Sequence, residues 1–469
     1  MPATLYTPFD KEISEINASD LLALRVVPEG WYIEYKSSIP NTKSIAKSIS
    51  AFANTYGGWL FYGIKEAANK DRTAELFPGI PSDDIATEEM KIRQAISACV
   101  SPPPYFEMHI VRGPNIEIGL DERRAIIVIR VQKSYTAPHI HSDGRIYRRI
   151  ADESNPRPET DRHILDMLWK RGKRRQRSLD SLIRTKPEIS KAEKQTTYLD
   201  VFILPSPWRE VFPKREIKFD EFADLMANKE VGSGGLPFDS AQSSSEGFIA
   251  RQVKDNQADR LSLTWRYMVD GTSHITLPLS SISIDDNFYN ANSNTRKFFE
   301  GYTHPSDFFS LLKEKNFSSG FLVDLNILFA ALWGVMRRHE KLAEVTGLDF
   351  PYDLSLRISG TWRRVPFIDT EAYRNFTKQH GIPLVQTSES ISPAGDWFYS
   401  LSGKEVGQDN DVWTGVKTCT IFFWIAEMFG VPYSHIVTRH SGNEHWYDEL
   451  NSLLQRAKEV QSRRNRRLS

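Results

Sequence analysis

The hydrophobic pattern in the first third of the chain predicts alternating strands and helices. A strand is expected at residues 31–36, and a helix at residues 41–55, where apolar residues recur every three or four positions. Gly57 and Gly58 should end that helix, because glycine accepts the left-handed conformation that a helix end often requires. A continuous apolar run then predicts a buried strand at residues 59–64.

Further apolar runs and turn residues complete this N-terminal unit. The prolines that follow Ser101 stop a helix, since proline cannot continue it, and an Asp143-Gly144 turn precedes the last predicted strand. The remaining predicted elements are a short helix at residues 19–24, a helix at 88–100, strands at 106–111, 124–131 and 145–149, and a closing helix at 159–171.

The rest of the chain predicts further strands and helices without an internal repeat. Strands are expected at 198–204, 260–269 and 274–279, and a long apolar helix at 321–339. The expected fold class is therefore α+β, with a mixed-sheet N-terminal domain followed by a mixed α/β C-terminal region. The predicted division is a domain at 1–171, a basic linker at 172–196, a β-rich domain at 197–318 and a mixed helical domain at 319–469.

Composition and charge refine this organisation. The chain has 469 residues, with 60 basic and 60 acidic side chains, so it cannot coat nucleic acid by bulk charge, although a local basic face is compatible with a neutral total. The two cysteines, Cys99 and Cys419, are expected to be buried reduced thiols. Without a signal peptide or an apolar run of about 18 residues, a cytoplasmic protein with no membrane partner is expected.

Glu34 and Lys36 are the first candidates for chemistry. Alternate side chains of a strand share a face, so these two should point the same way. In metal-dependent phosphodiesterases such a carboxylate holds a cation while the lysine stabilises charge on the phosphate. Glu29 in the preceding turn and Glu66 after the next strand would converge with Glu34 if the two strands are neighbours. Oxygen ligands of this kind suit Mg²⁺ or Mn²⁺, although Glu-x-Lys taken alone is usually a solvated strand face.

Two strings of residues carry a family resemblance. The first is Glu-Gly-Trp-Tyr-Ile-Glu-Tyr-Lys at residues 29–36, and the second is Ala-Phe-Ala-Asn-Thr-Tyr-Gly-Gly at residues 51–58, which leads into a strand that ends in Gly-Ile. A third segment, Gly-Arg-Ile-Tyr-Arg-Arg at residues 144–149, follows further on. Together they resemble the Schlafen-type AlbA_2 domain, and the resemblance covers residues 21–171.

The resemblance implies an activity and an assembly. In Schlafen proteins this domain is a metal-dependent endoribonuclease that acts on structured RNA, notably tRNA, through three acids, which match Glu29, Glu34 and Glu66 here. Glu66 stands where the nuclease members usually have aspartate. The vertebrate members contain two related lobes and this chain shows one copy, so the resemblance implies a homodimer. Many bacterial relatives are described instead as DNA-binding or as divergent ATP-binding modules.

Clustered basic residues favour nucleic acid as the partner. They lie on the polar face of the helix at 41–55, around the last predicted strand, and directly after the domain, where they could contact phosphates. The alternative is a solvated helix end followed by a linker. The candidates for phosphate contact are Lys43, Lys47, Arg145, Arg148, Arg149, Lys173, Arg174 and Arg175.

The leading hypothesis is a metal-dependent nuclease for which RNA, of a tRNA-like kind, is preferred over DNA. Glu29, Glu34 and Glu66 would hold Mg²⁺ or Mn²⁺, Lys36 would support the phosphate, and a C-terminal sensing region would control the activity, as in bacterial anti-phage defence. The alternative is a non-catalytic DNA-binding protein or transcriptional regulator. No ATP is expected, because the chain lacks a Gly-x-x-x-x-Gly-Lys-Ser/Thr loop and its Gly-Ser-Gly-Gly string at 232–235 has no lysine.

Overall fold

The computed structural model divides into two compact units, Met1–Arg184 and Thr185–Ser469. Each unit has its own buried apolar core and is described by itself. The structure describes residues 6–68, 72–150, 155–206, 208, 213, 215–231, 238–253, 262–289, 293–303, 305–348, 352–391, 399–401, 410–437 and 445–466.

The N-terminal unit alternates short strands with three helices. Three 3-10 turns, at Ile13–Glu15, Ser19–Val26 and Ser82–Asp84, join them. The strands are β1 Ile33–Lys36, β2 Gly57–Tyr62, β3 Lys65–Glu66, β4 Ala74–Leu76, β5 Ile80–Pro81, β6 Val100–Ser101, β7 Phe106–Arg112, β8 Arg124–Gln132, β9 Ile140–His141, β10 Tyr147–Arg148 and β11 Arg157–Pro158, and the helices are α1 Thr42–Asn54, α2 Ile85–Cys99 and α3 Arg162–Arg184.

A five-stranded mixed sheet forms the centre of this unit, in the order β1-β2-β8-β5 with β7 paired to β8. Strands β1 and β2 run parallel, with Glu34 opposite Leu60 and Lys36 opposite Tyr62. Strand β8 runs antiparallel to β2 and to β7. The strand that carries Glu34 is therefore the neighbour of the strand that leads to Glu66, as the candidate site requires.

The central sheet is buried on both faces, which explains why β2 reads as a continuous apolar run. Trp59 and Phe61 pack on one face in a cluster with Leu24 of the N-terminal segment. Leu60 packs on the opposite face in a second cluster with Ile49 of α1. Alternate residues of a strand point to opposite faces, so a fully apolar strand is needed where both faces are covered.

Helix α1 begins and ends at residues suited to those positions. The Asn41 side chain accepts a hydrogen bond from the Ser44 amide at 2.9 Å and caps the first turn. After the helix, Gly57 has a φ of +80°, a conformation that favours glycine. A Cβ at Gly58 would lie 2.5 Å from the Phe52 ring. The paired glycines therefore let the chain turn tightly from α1 into β2.

The C-terminal unit is built on two sheets and a long central helix. An eight-stranded sheet has the order β13-β14-β15-β16-β12-β19-β21 with β22 paired to β19, and a three-stranded sheet has the order β17-β18-β20. The strands are β12 Tyr198–Pro205, β13 Ser240–Ser244, β14 Gly247–Arg251, β15 Thr264–Met268, β16 Ser273–Pro278, β17 Ser281–Ile284, β18 Gly320–Asp324, β19 Tyr352–Ser359, β20 Arg364–Phe367, β21 Glu389–Ile391 and β22 Tyr399–Leu401. The helices are α4 Phe219–Ala227, α5 Asp286–Tyr289, α6 Ser293–Phe299, α7 Pro305–Glu314, α8 Leu325–Thr346, α9 Glu371–His380, α10 Asn410–Met428 and α11 His445–Arg466.

A buried polar network ties three strands of the larger sheet together. Asp200 of β12 lies between His274 of β16, with Nε2 2.9 Å from its Oδ1, and Arg357 of β19, whose Nη2 donates to its Oδ2 at 2.6 Å. The Asp200 side chain is also the acceptor of the Thr276 hydroxyl at 2.7 Å. Each group has a partner inside the sheet, so the network fixes the register of β12 without exposing charge.

The structure confirms the α+β fold class, but some predicted boundaries differ. Helix α3 continues without a break to Arg184, so the first half of the predicted linker at 172–196 is helical. The predicted boundary between 318 and 319 falls inside the C-terminal unit, because β12 pairs with β19 across it. The string at 232–235 lies outside the described residues. In the described part of the chain, no helix is both long and apolar enough to cross a membrane.

The helix predicted at 321–339 begins later than expected. Phe321 to Asp324 belong to strand β18, and α8 starts at Leu325. The cause is Asp324, whose side chain accepts hydrogen bonds from the amides of Asn326 and Ile327 and so caps the helix. Apolar periodicity could not separate the strand from the helix, because both are buried.

Candidate functional site

Glu34 is buried at the centre of the candidate site. Its side chain, on β1, is 2% exposed. Oε1 accepts a hydrogen bond from the Ser48 hydroxyl at 3.0 Å, and Oε2 accepts one from Arg149 Nη1 at 2.9 Å. Both oxygens of this carboxylate therefore have donors within the protein, which is the usual condition for burying a charge.

Arg149 is the buried partner of Glu34, and its predicted contact with phosphate is wrong. The residue is 0% exposed, and its guanidinium lies 4.8 Å from the centroid of the Phe52 ring. Beyond Glu34 it donates to the carbonyl oxygens of Gly30 at 2.7 Å and Ile33 at 3.2 Å. A guanidinium enclosed in this way cannot reach a ligand in solvent. It fixes the backbone at the start of β1 and in the turn before it.

Asn54 and Thr55, in the family string at residues 51–58, have structural roles that account for their presence there. The Asn54 amide donates to the carbonyl oxygens of His139 and Tyr147, both at 3.0 Å, and its carbonyl accepts from the His139 amide at 2.8 Å. The Thr55 hydroxyl accepts from the Arg149 amide at 2.9 Å. The end of α1 thus holds the segment that delivers Arg149 to Glu34.

Lys36 lies between two of the candidate acids. Its Nζ is 3.4 Å from Glu34 Oε1 and 4.0 Å from Glu29 Oε1. The lysine side chain is 32% exposed, whereas both of these carboxylates are almost fully enclosed. Lys36 is therefore a cation at the edge of the site, held by acids on its inner side and open to solvent on its outer side.

Glu29 and Glu66 form a pair of interacting carboxyls. Glu29 Oε1 accepts a hydrogen bond from the Tyr35 amide at 2.7 Å, and Glu66 lies within hydrogen-bonding range of the Glu29 carboxyl. The Oε2 atoms of both residues are buried and have no donor. Burial first, and the neighbouring Glu66 second, raise the pKa of Glu29 to about 7, against the lowering effects of the Tyr35 amide and Lys36. Two interacting carboxyls that each keep a buried oxygen without a donor favour a shared proton or a bound cation.

The carboxylate oxygens of the Glu29–Glu66 pair are suitable ligands for a divalent cation. Carboxylate oxygens are the ligands that Mg²⁺ and Mn²⁺ prefer, and two of these oxygens lack a hydrogen-bond donor. Glu34 differs, because Ser48 and Arg149 already donate to its two oxygens. Among the described residues, no group of three or more His, Cys, Asp or Glu side chains is arranged to hold a metal. Of the three predicted ligands, Glu29 and Glu66 therefore form the pair that could hold a metal. Glu34 lies beside this pair, and Lys36 contacts both Glu34 and Glu29.

The other predicted phosphate contacts differ in how accessible they are. Lys43, Arg145, Lys173 and Arg174 are exposed. Lys47 is partly buried over the Tyr147 ring, at 4.8 Å from its centroid. Arg148 is paired with Glu159 at 2.7 Å, and Arg175 is partly buried.

Sequence reasoning missed Ser48 and gave Arg149 a different role, that of a phosphate contact. Ser48 and Arg149 complete the surroundings of Glu34, yet Arg149 is 115 positions away along the chain. Local pattern carries no signal for such a contact. The sequence feature that points to this contact is Asn54-Thr55, within the family string at residues 51–58. Both side chains are buried, which implies that a segment of backbone packs against the end of α1.

Comparisons with known proteins identify the N-terminal part of the chain. Residues 29–158 match the family model described as Schlafen, AlbA_2, which confirms the resemblance for the N-terminal third. No curated protein matches the chain.

Solved structures give two weaker likenesses. The N-terminal domain of a RecG-related protein from Nitrosomonas europaea is 24% identical, with a TM-score of 0.23, over 32% of this chain and 97% of that one. The DIP2311 protein from Corynebacterium diphtheriae is 18% identical, with a TM-score of 0.18. That match covers 28% of this chain and spans 22% of the length of the Corynebacterium chain. Neither likeness bears on what the chain does.

Proposed function

We propose that this protein acts on nucleic acid and that its N-terminal unit is a metal-dependent nuclease with RNA as the preferred substrate. The observation that carries the proposal is the Glu29–Glu66 pair, in which each carboxyl has a buried Oε2 without a hydrogen-bond donor, beside the partly exposed cation Lys36. The match of residues 29–158 to the Schlafen AlbA_2 family supports the same reading.

The residues take distinct roles in this proposal. Glu29 and Glu66 would hold Mg²⁺ or Mn²⁺, which supplies a Lewis acid and lowers the pKa of a bound water. Lys36 offers its ammonium to the phosphate, where it stabilises developing negative charge. Glu34, whose oxygens are already bonded, positions Lys36 through the 3.4 Å contact and anchors β1 through Arg149.

The proposal extends to substrate and assembly through the family resemblance. The exposed side chains Lys43, Arg145, Lys173 and Arg174 supply positive charge for the backbone of a tRNA-like RNA. Because this chain shows one copy of the domain, two chains would have to form a homodimer to build a cleft from two lobes. The C-terminal unit would act as the sensing region that controls the nuclease, as in anti-phage defence.

Cleavage assays with the full chain test the proposal. We expect tRNA and single-stranded RNA to be cleaved with Mn²⁺ or Mg²⁺, and neither to be cleaved with EDTA. Glu29→Gln, Glu66→Gln and Lys36→Met should each lower the cleavage rate by about 100-fold or more, as loss of a transition-state contact does. Glu75→Gln, an exposed acid on β4 next to the strand that carries Glu66, should cleave like the wild type.

Two results would contradict the assignment. One is cleavage at the wild-type rate in both glutamine variants, and the other is cleavage that persists in EDTA. Thermal unfolding of each variant serves as the folding control, because a misfolded variant would lose activity for another reason.

A non-catalytic DNA-binding function is the second candidate. It is favoured by Glu34, whose enclosure by Ser48 and Arg149 removes one of the three predicted ligands from direct use. This alternative predicts salt-sensitive binding of double-stranded DNA without cleavage of any nucleic acid in Mn²⁺. The same set of substrates, run in binding and cleavage assays side by side, separates the two candidates.

A further inference from the structure

Helix α3 carries an exposed tryptophan that is followed by four cations on the same face of the helix. Trp169 is 50% exposed, although large aromatic side chains are usually well buried. The neighbouring side chains on the helix surface, Lys170, Lys173, Arg174 and Arg177, are also exposed. At about 100° per residue, these five positions fall within an arc of about 140°. We call them the α3 strip.

The opposite side of α3 is fixed to the N-terminal unit. Leu168 is buried, and Arg171 donates to the carbonyl oxygens of Asn54 and Ser134 at 3.2 and 3.3 Å. A Cβ at Gly172 would lie 2.7 Å from the Ala137 carbonyl oxygen, so the helix backbone lies close to that segment. The contacts of Arg171 and Gly172 therefore hold the middle of α3 against the N-terminal unit, and the strip lies on the other side of the helix.

The cations of the strip are not neutralised by the protein. Within the part of the chain that the structure describes, none of Lys170, Lys173, Arg174 and Arg177 has a carboxylate within 4.0 Å. Asp166 lies one turn before Lys170 and makes no such pair. Four free cations beside an exposed ring match the combination that binds single-stranded nucleic acid, in which the phosphates contact cations and the bases stack on aromatic rings.

We propose that the α3 strip binds an unpaired segment of nucleic acid, with one base stacked on Trp169 and the phosphates following the four cations. From Trp169 to Arg177 the helix rises about 12 Å, which is long enough to contact several consecutive phosphates of one strand. A base can stack on Trp169 only where it is unpaired, because the faces of paired bases are covered within a duplex. This inference deepens the proposed nucleic-acid function by naming the unpaired strand as what the helix recognises.

Binding of short labelled strands by the full chain tests the inference. The probes are a 12-nucleotide oligo(U), a 12-nucleotide oligo(dT) and a 12-base-pair duplex, in EDTA so that cleavage does not interfere. Trp169→Ala should weaken binding of the single strands by about 5- to 100-fold and change duplex binding by less than about two-fold. Trp169→Phe, which keeps a ring, should restore most of the affinity.

Two further variants test the geometry of the strip. Met167→Ala removes another exposed apolar side chain of α3, 48% exposed and outside the α3 strip, and should leave binding unchanged. Replacing both Lys173 and Arg177 with alanine should reduce the slope of log affinity against log salt by about 1.4 for single strands, because two phosphate contacts are lost.

The outcomes are distinct from those of the cleavage assay. Wild-type affinity of Trp169→Ala for both single strands, or an equal loss for strand and duplex, would overturn the stacking inference while leaving the nuclease proposal intact. Conversely, selective loss of strand binding in Trp169→Ala supports the inference even if the Glu29 and Glu66 variants show that no cleavage depends on them.

Discussion

Replacing Arg149 with methionine is expected to lower the free energy of unfolding of the N-terminal unit by about 3–5 kcal/mol, because it leaves the buried Glu34 carboxylate without its charged partner. The substitution also removes donors to the Gly30 and Ile33 carbonyl oxygens, so the turn that carries Glu29 should loosen. Urea unfolding of the full chain measures the loss. Hydrogen–deuterium exchange of peptides that cover residues 29–36 and 139–149 locates it.

Arg148 offers a matched control one residue away. Its guanidinium is paired with Glu159, and both side chains keep some exposure, at 16% and 13%, so Arg148→Met should cost clearly less than Arg149→Met. In the double variant Glu34→Gln with Arg149→Met, the uncompensated charge is gone and at least half of the lost stability should return. An Arg149→Met variant as stable as Arg148→Met would show that the Glu34–Arg149 pair does not hold the site together.

Local patterns predicted the elements that carry the candidate site. Helix α1 and strand β2 lie within two residues of their predicted bounds, because the amphipathic period and the apolar run act over a few neighbouring residues. Gly57 and Gly58, which were expected to end the helix, are the first residues of β2. The same reasoning placed Glu29, Glu34 and Lys36 on or beside one strand. Helix α3 ran further than predicted, since its charged second half has no turn residue to end it after Gly172.

The orientation of Arg149 and the surroundings of the three acids depend on contacts between distant parts of the chain, so local patterns could not predict them. Sequence pattern indicated a basic Arg148-Arg149 pair, but which arginine turns inward is decided by the Thr55 hydroxyl, which binds the Arg149 amide, and by the buried Glu34. The difference between Glu34, whose oxygens are bonded, and Glu66, which has a buried oxygen without a donor, likewise arises from tertiary packing. The spacing of the three acids along the chain does not distinguish them, whereas in the folded protein only Glu34 has hydrogen-bond donors to both of its oxygens.

The stability of the metal-free protein is expected to fall as the pH rises from about 4.5 to about 7. The pKa of Glu29 is raised to about 7, mainly by burial, from an ordinary value of 4.5. The folded protein therefore binds more protons than the unfolded chain in this window, and stability decreases with pH by linkage. The stabilisation that comes from protonated Glu29 is fully lost above about pH 7, and it amounts to at most about 3 kcal/mol of the free energy of unfolding.

Thermal unfolding in EDTA between pH 4 and pH 9 measures this dependence, and variants assign it. Glu29→Gln keeps an acceptor for the Tyr35 amide and places an NH₂ group toward Glu66, so it should unfold at a higher temperature than the wild type at pH 8 but not at pH 4. Glu75→Gln should follow the wild-type curve, since that side chain is exposed. Mn²⁺ at pH 8 should stabilise the wild type and Glu75→Gln but not Glu29→Gln, because a cation can replace the proton only between two carboxylates. Equal pH profiles of the wild type and Glu29→Gln would mean that Glu29 and Glu66 do not share a proton or a cation, and the proposed metal site would lose its main support.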